Sequence, residues 1–190
     1  ISAVTDADAG NYRCIATGVC GTAGSNPASL SVYTNTLIIS QPSGSTICEG
    51  TSHTFSIVAE GNNLNYTWHK DGNILVDGGN VSGSTTANLT ISAATPADAG
   101  AYNCEVTGAC GTENSVLAQL VVNEATDITL QPLNKTGCTG DNISFSVLSE
   151  GTGLSYQWQK DGLNLSDGGS ISGSSTANLN ITGLSATDDG

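Results

Sequence analysis

The stretch Asp98-Ala99-Gly100-Ala101-Tyr102-Asn103-Cys104 decides the fold of this chain of 190 residues. It returns 90 positions earlier as Asp8-Ala9-Gly10-Asn11-Tyr12-Arg13-Cys14. The same interval separates further pairs, which are Cys20 and Cys110, Cys48 and Cys138, and Trp68 and Trp158. A fixed period of this length indicates a tandem array of one supersecondary unit. Stacked units of this kind build extended structures in which each repeat contacts its neighbours.

The period divides the chain into three pieces. Residues 1–33 are predicted to supply the end of one repeat. Residues 34–123 are predicted to form one complete repeat, and residues 124–190 the first part of a further repeat. A unit of about 90 residues is large enough for a two-layer core. We therefore expect a window on an array, cut in the middle of a repeat at both ends.

Charge and composition exclude two classes of partner. Four basic residues stand against 17 acidic ones, which gives a net charge of -13. Such a chain repels phosphate backbones, so nucleic-acid binding is not expected. No apolar run approaches the length that crosses a bilayer, and we expect no membrane insertion in this segment.

The cysteines recur three to a repeat, which leaves one thiol over if the others pair. Cysteines at fixed positions in a chain poor in Lys favour an oxidising, extracellular compartment. Metal binding is the competing interpretation, but no Cys-x-x-Cys occurs, and His53 and His69 have no counterparts in the other repeats. The candidates for disulfide bonding are Cys20, Cys48, Cys110 and Cys138.

Alternation of apolar and polar residues predicts short strands throughout. Thr54 to Ala59, Leu64 to His69 and Ala87 to Ser92 all alternate with period two, and Asp71-Gly72 is typical of a tight turn between strands. No stretch repeats its apolar residues with a helical period. Short strands separated by turns every eight to twelve residues predict an all-β sandwich or barrel.

The spacing of Trp68 and the Asp-x-Gly-x-Tyr-x-Cys stretch resembles the immunoglobulin fold. In that fold a core Trp lies on strand C and the Tyr corner opens strand F. More narrowly, Cys48-Glu-Gly50, Tyr66-Thr-Trp68-His-Lys-Asp-Gly72 and Cys110-Gly111 look like the tandem immunoglobulin-like repeats of secreted and cell-surface bacterial proteins, including adhesins. The resemblance implies tandem immunoglobulin-like β-sandwiches, with Tyr102 bonded back to the corner near Asp98. It also implies that residues 1–33 supply the C-terminal strands F and G of one repeat, and residues 124–190 the N-terminal strands A to E of another.

The resemblance also implies which residues form the core, and it has one departure. Aliphatic residues stand where strand B of an immunoglobulin domain would supply a cysteine, so Cys104 is expected to be a small buried hydrophobe. The expected core residues are Ile57, Trp68, Tyr102 and Cys104 in the complete repeat, with Val147 and Trp158 in the next.

No set of residues has the pattern of a catalytic site. The acidic residues at the corner before strand F, which are Asp6, Asp8, Asp98, Asp188 and Asp189, are expected to cap turns. Asp77-Gly-Gly-Asn80 and Asp167-Gly-Gly-Ser170 resemble a calcium loop in composition but not in acidic spacing. We therefore expect no enzyme and no cofactor, and at most a weak surface Ca²⁺ site.

Seven Asn-x-Ser/Thr sequons recur along the chain, at Asn65, Asn80, Asn88, Asn134, Asn142, Asn164 and Asn180. Taken literally they indicate N-glycosylation of a secreted protein. Chance is favoured if the source is bacterial, because Asn and Thr are frequent throughout this chain.

On the immunoglobulin topology, Cys48 and Cys110 of the complete repeat are expected to lie at opposite ends of its sandwich. A strand of seven residues spans about 23 Å, far beyond the Cα separation of about 4.4–6.8 Å that a disulfide tolerates. A bond between Cys48 and Cys110 within one repeat is therefore unfavourable. A bond across the junction of two repeats, or with another chain, is expected instead.

The sequence favours a non-catalytic structural or adhesive array on the surface of a bacterial cell, forming a stalk or filament. One alternative is a spacer attached to a secreted enzyme, and another is a module that binds a carbohydrate or protein, with a surface or glycan as ligand. The expected partners are neighbouring repeats or identical chains placed head to tail. In such a contact residues 1–33 of one chain would complete residues 124–190 of another.

Overall fold

The computed structural model describes residues 3–188, so Asp189 and Gly190 lie outside the described residues. The chain divides into two compact units. The first contains the described residues up to Ile47 together with Thr51–Val121, and the second contains Cys48–Gly50 and the chain from Val122 onward. The three pieces that the period predicts stay a prediction.

The part of the first unit before residue 34 consists of a 3₁₀ turn followed by two pairs of strands. The turn is Asp6–Asp8, and the strands are β1 (Gly10–Tyr12), β2 (Ile15–Gly18), β3 (Gly21–Gly24) and β4 (Ala28–Leu30). β1 pairs with β4 and β2 with β3, all antiparallel. Most side chains here are exposed, including Tyr12 at 47%.

Residues 34–123 contain a set of strands on both sides of a 3₁₀ turn, Pro96–Asp98. The strands are β5 (Leu37–Ser40), β6 (Ser45–Cys48), β7 (His53–Ser56), β8 (Val58–Glu60), β9 (Asn65–Lys70), β10 (Asn73–Ile74), β11 (Val81–Ser82), β12 (Asn88–Ile91), β13 (Gly100–Gly108), β14 (Gly111–Asn114) and β15 (Ala118–Asn123).

These strands form two facing layers. One sheet has the order β10-β9-β13-β15-β6, with β14 paired to β13, and the other has the order β11-β12-β7. β5 pairs with β8 beside the second sheet. This order confirms the predicted all-β, immunoglobulin-like sandwich.

The core lies between the two layers. Its fully buried side chains include Phe55, Leu89 and Ile91 from one sheet, and Trp68, Tyr102, Cys104, Val106 and Leu120 from the other. Phe55 stacks on Tyr102 with ring centroids 4.6 Å apart. Burying a large apolar side chain contributes about 1.5–3 kcal/mol, so these aromatic and aliphatic side chains together stabilise the repeat.

The predicted strand from Thr54 to Ala59 is divided at Ile57. It forms β7 in one layer and β8 against β5, and the backbone N–H of Ile57 donates to the carbonyl of Ala87 at 3.0 Å. Ile57 itself is 3% exposed. The change of partner at this residue is a property of the sheet pairing, which a period-two pattern does not encode.

The second unit repeats the first strands of this plan. Its strands are β16 (Asp127–Leu130), β17 (Ile143–Ser146), β18 (Leu148–Glu150), β19 (Gln159–Lys160), β20 (Leu163–Asn164), β21 (Ile171–Ser172) and β22 (Asn178–Ile181), followed by a 3₁₀ turn, Ala186–Asp188. β17 and β22 pair from Ile143 with Ile181 to Ser146 with Asn178. β7 and β12 pair in the same register 90 positions earlier.

Val147 and Trp158 are half-buried, whereas Trp68 is fully buried. Trp68 lies on β9, which pairs with β13. Residues 124–188 contain no strand equivalent to β13 or β15. The apolar face that these strands would cover is therefore only partly closed in the second unit.

Candidate functional site

The turn before β13 is held by a carboxylate and a phenol. The Asp98 carboxylate accepts hydrogen bonds from the backbone N–H and hydroxyl of Thr95, at 2.8 and 2.9 Å, and from the Asn80 amide at 2.9 Å. Tyr102 donates its hydroxyl to the Asp98 carbonyl at 2.7 Å, which is the predicted bond of a Tyr corner. These contacts fix the start of β13.

The same contacts change the acidity of both groups. Burial opposes ionisation of Asp98, but the hydrogen bonds from Thr95 and Asn80 and the charge of Lys70 outweigh it and lower the pKa of its carboxyl. Burial, with the nearby negative charges of Asp98 and Asp71, raises the pKa of Tyr102 to about 12. The corner is therefore an ionised acid beside a neutral phenol, an arrangement that caps a turn.

Asp71 ties the turn after β9 to the start of β13. Its carboxylate pairs with the Lys70 ammonium at 2.8 Å and accepts the N–H of Ala101 at 2.9 Å. The bond to Lys70 is the main cause that lowers the pKa of Asp71. Gly100 has φ +154°, and a Cβ at this position would lie 2.5 Å from an Asp71 carboxylate oxygen. A side chain at position 100 would have to displace the Asp71 carboxylate from these bonds, and the positive φ also favours glycine.

The candidate functional site comprises the two segments that connect consecutive repeats, residues 33–36 and 123–126, which we call linkers. We define the proximal end of the repeat as residues 33–36, 61–64 and 109–111. Here the Asn62 side-chain oxygen accepts the N–H and hydroxyl of Thr34 at 2.9 and 3.0 Å. The Asn62 carbonyl accepts the N–H of Ala109 at 2.8 Å. Asn62 thus joins the linker to the turn after β13.

Two glycines allow the linker to pack closely at the proximal end. Thr36 is 4% exposed, and a Cβ on Gly108 would lie 2.3 Å from its hydroxyl oxygen. A Cβ on Gly61, whose φ is +142°, would lie 3.2 Å from the Thr36 Cα and 2.9 Å from Leu64. Larger side chains at either position would displace the linker.

The same arrangement recurs 90 positions later, in the second unit. The Thr152 hydroxyl accepts the N–H of Glu124 at 2.9 Å, as Asn62 accepts that of Thr34. A Cβ on Gly151 would lie 3.0 Å from the Thr126 Cα, as one on Gly61 would approach Thr36. The linker therefore meets the repeat that follows it in the same way at both positions.

The distal end of the repeat, which we define as residues 48–50 and 123–125, also binds the linker. The N–H of Glu49 donates to the Asn123 carbonyl at 2.8 Å. The Glu49 carboxylate in turn accepts the N–H of Ala125 at 3.2 Å. The turn after Cys48 is thereby held against the chain that leaves β15.

The two loops that resemble a calcium loop in composition, 77–84 and 167–174, are held by hydrogen bonds from their own backbone N–H groups to an Asp carboxylate. Asp77 accepts the N–H of Ser84 at 2.7 Å, and Asp167 accepts that of Ser174 at the same distance. Hydrogen bonds from Ser84 lower the pKa of Asp77. Within residues 3–188, no three His, Cys, Asp or Glu side chains cluster as a metal ion would require.

The predicted disulfide candidates are all exposed. Cys20, Cys110 and Cys138 carry free thiols, and their pairing stays a prediction. Cys104 is fully buried, and burial is the main cause that raises the pKa of its thiol to about 11. Cys104 therefore has the properties of a buried hydrophobe.

Sequence reasoning missed the residues that bind the linker. Gly61 and Thr36 recur with the period as Gly151 and Thr126, so the sequence contained a signal for these two positions. Thr152 is the equivalent of Asn62, and only the structure shows that the two side chains accept equivalent backbone N–H groups.

The fold defines a class: this is an all-β protein of immunoglobulin-like domains in tandem. Residues 37–107 match the family model described as "Immunoglobulin domain". The I-band fragment I67-I69 from titin superposes with a TM-score of 0.83 at 23% identity, over 98% of this chain and 69% of that one. At this identity the likeness shows the fold alone.

Two further relatives extend the likeness. Sidekick-1 immunoglobulin domains 1–4 superpose with a TM-score of 0.64 at 26% identity, covering 99% of this chain and 54% of that chain. Human Hemicentin-1 is 29% identical over 158 residues, which are 80% of this chain. The chain spans only 3% of the length of Hemicentin-1. The described part of the chain, residues 3–188, contains no apolar helix of membrane-spanning length.

Proposed function

We propose that this chain is a non-catalytic structural or adhesive segment of an extracellular surface protein, in which immunoglobulin-like repeats follow one another as a stalk or filament. The observation that supports it most is the recurrence of the linker contacts. Asn62 and Thr152 accept equivalent backbone N–H groups 90 positions apart. Repetition of a junction in one geometry is what a continuous array requires.

The bacterial cell surface is the proposed setting, on the resemblance of the cysteine and Trp motifs to adhesin-type repeats. Neighbouring repeats, or identical chains placed head to tail, are the proposed partners. A head-to-tail contact does not close on itself and so grows a filament. The half-buried face around Trp158 is consistent with an added pair of strands.

Two other roles remain open to experiment: a spacer for a secreted enzyme, and a module that binds a glycan or protein. Trp68 is fully buried and cannot contact a glycan, whereas Tyr33 is 50% exposed. Saturable binding to a glycan array, lost in Tyr33→Ala and retained in Tyr12→Ala, would favour the binding module over the stalk.

Light scattering and electron microscopy of the full chain test the proposal. We expect elongated particles whose length increases with protein concentration, in steps of one chain. A compact monomer at every concentration would contradict the head-to-tail filament.

A further inference from the structure

The outer face of the sheet β11-β12-β7 in the first unit carries no charged side chain, and the structure describes every residue of this sheet. Along β7 and β12 buried or half-buried residues alternate with outward ones, so every second side chain points away from the core. The outward side chains are hydroxyls and one amide, and they belong to Thr54, Ser56, Ser82, Asn88 and Thr90. We call these five residues the neutral face of the first unit.

The second unit has the same face 90 positions later. Its three-stranded sheet is formed by β17, β22 and β21. The outward side chains are again hydroxyls and amides, of Ser144, Ser146, Ser172, Asn178 and Asn180. All ten positions are Ser, Thr or Asn, although the chain carries 17 acidic and four basic residues. Each unit therefore presents a neutral face on a strongly acidic chain.

The side chains of the neutral face lie in cross-strand rows. Thr54 is opposite Thr90, and their hydroxyl oxygens are 2.9 Å apart. Ser56 is opposite Asn88 in the next outward row. Because these side chains are short, a second sheet can approach the face closely. Hydroxyl and amide groups both donate and accept hydrogen bonds, so a copy of the face is chemically complementary to it.

Exposed apolar side chains continue the neutral face along β8, and we call them its apolar margin. Val58 is the next outward residue of this part of the chain, and Ile39 lies beside the β5 residue that pairs with it. Both are more than half exposed. In the second unit Leu148 lies opposite Leu130, and both are exposed. Covering the margin with another surface would remove apolar area from water, which favours association.

The charge of the chain limits which partner fits this surface. At a net charge of -13 two copies repel each other. The other sheet of the complete repeat carries Glu105 on β13 and Glu113 on β14. A contact through two neutral faces brings no carboxylates of these faces together. A basic partner would form no ion pair here, and the face has no aromatic ring on which a sugar could stack. A second copy of the same face is the partner that its chemistry fits.

We propose that the neutral faces, with their apolar margins, are lateral contact surfaces through which two copies of this chain associate side by side. The contact is isologous, because the same residues contribute from both copies. It uses the side of the sandwich and not its ends, so it goes beyond the proposed function and does not depend on the head-to-tail contact.

The small size of each face predicts a weak contact. Strands of four residues are about 13 Å long, whereas stable protein interfaces bury roughly 1,200–2,000 Å² in total. One pair of neutral faces is far below that area. The association should therefore be weak for a single repeat and become stronger with the number of repeats that take part.

Sedimentation velocity of the full chain at increasing concentration measures the contact. Reducing buffer excludes any contribution from disulfides between copies. We expect the weight-average sedimentation coefficient to rise with concentration, and more steeply at about 0.5 M salt than at about 0.02 M, because salt screens the repulsion between acidic copies. An association that weakens as salt is added would indicate charge pairing and would refute the neutral contact.

Two matched substitutions locate the contact. Thr54→Glu adds one negative charge to the neutral face and removes the hydroxyl pair with Thr90. Thr112→Glu adds the same charge to β14 and removes a similar hydroxyl pair, with Thr107, whose oxygens are 3.1 Å apart. We expect Thr54→Glu to raise the dissociation constant about tenfold, because it places like charges in the contact. Thr112→Glu should leave the constant unchanged. Equal effects would show that net charge decides, and the proposal would fail.

Amide chemical shifts of ¹⁵N-labelled chain separate this contact from a head-to-tail one. As the concentration rises, we expect shift changes at Ser56 and Asn88, and at their equivalents in the second unit. The double variant Thr54→Glu/Ser144→Glu should abolish these changes. Shift changes confined to the surroundings of Trp158 would refute the lateral contact and leave the head-to-tail contact intact. Shifts that stay constant throughout the chain would refute the lateral contact as well.

A mixture of opposite charges keeps the test valid if single variants lose stability. Thr54→Lys and Thr54→Glu place opposite charges at one position of the neutral face, so the two variants attract each other when mixed. We expect the equimolar mixture to associate more strongly than either variant alone. The mixture of Thr112→Lys and Thr112→Glu should show no such gain. If both Thr54 variants are folded by circular dichroism and their mixture shows no gain, the proposal is overturned.

Discussion

At the scale of residues, the corner before β13 shows how one residue accepts hydrogen bonds through both its side chain and its backbone. Asp98 accepts three hydrogen bonds through its carboxylate and one, from Tyr102, through its carbonyl. The phenol is buried at 1% exposure. Removing either partner would therefore leave a buried polar group without a hydrogen bond, which lowers the stability of the fold.

Tyr102→Phe should lower the free energy of unfolding by about 1–2 kcal/mol, because the buried Asp98 carbonyl loses its donor. Tyr12→Phe is the matched control. Tyr12 makes the same type of bond to the Asp8 carbonyl, but it is 47% exposed, and water can replace the phenol. Urea denaturation of both variants measures the difference. Equal losses would show that burial does not decide the strength of the bond.

The raised pKa of Tyr102 predicts a loss of stability in alkali. The phenol has a pKa of about 12 in the folded chain, against the ordinary value of 10.0. Below pH 10 both states are neutral, and the contribution is complete. As pH rises from 10 to 12 the unfolded chain releases this proton first, so stability falls through that window. Urea midpoints across it should fall less steeply in Tyr102→Phe than in the parent.

Gly100→Ala should destabilise the chain by about 1–3 kcal/mol, since backbone strain adds to a clash. The new Cβ would lie 2.5 Å from the Asp71 carboxylate. Gly111→Ala is the control, because Gly111 also has positive φ, at +128°, but has open space around its Cβ position. The difference between their thermal midpoints isolates the clash. A larger loss in Gly111→Ala would contradict this explanation.

At the scale of elements, the sequence predicted where the strands lie along the chain better than which strands pair with each other. Alternation located β9 and β12, and Asp71-Gly72 located the turn between β9 and β10. The division of the strand at Ile57 was not predictable, because it depends on which neighbour each half meets. The linker contacts of Asn62 were missed for a related reason, since they join residues 28 positions apart.

The loop from Asp77 to Ser84 should be held by the hydrogen bond between the Asp77 carboxylate and the Ser84 N–H, and it should not bind Ca²⁺. Asp77→Ala should lower the urea midpoint, because the N–H of Ser84 loses its acceptor. Asp77→Asn retains an acceptor oxygen and should have a smaller effect. Neither Ca²⁺ nor a chelator should change the thermal midpoint of the parent chain. A rise in midpoint with Ca²⁺ that is absent in Asp77→Asn would establish an ion site instead.

At the scale of the whole molecule, the two tryptophans report on different environments. Trp68 is fully buried in the complete repeat, and Trp158 is half-buried in the second unit. Both indole N–H groups donate to a backbone carbonyl at 2.9 Å, of Thr86 and of Thr176. The loops that hold the two rings are thus the same, and what differs is the layer above them.

Trp158 fluorescence should shift to shorter wavelength as the protein concentration rises, because the strands of a second copy exclude water from the ring. The Trp68→Phe variant leaves Trp158 as the single emitter and is the sample to measure. The Trp158→Phe variant leaves Trp68 and should emit at one wavelength at every concentration. If the emission wavelength of Trp158 stays constant over the concentration range in which the particles lengthen, the head-to-tail contact is contradicted.

The shared register of β1 with β4 and of β13 with β15 also affects how the gene can change length. Unequal crossing-over at the same position within two repeats adds or removes a whole number of repeats. Each product still has every strand opposite its partner, and every linker still meets an Asn62-type acceptor. A change of length by whole repeats would therefore preserve the strand pairing and the linker contacts of every repeat that remains.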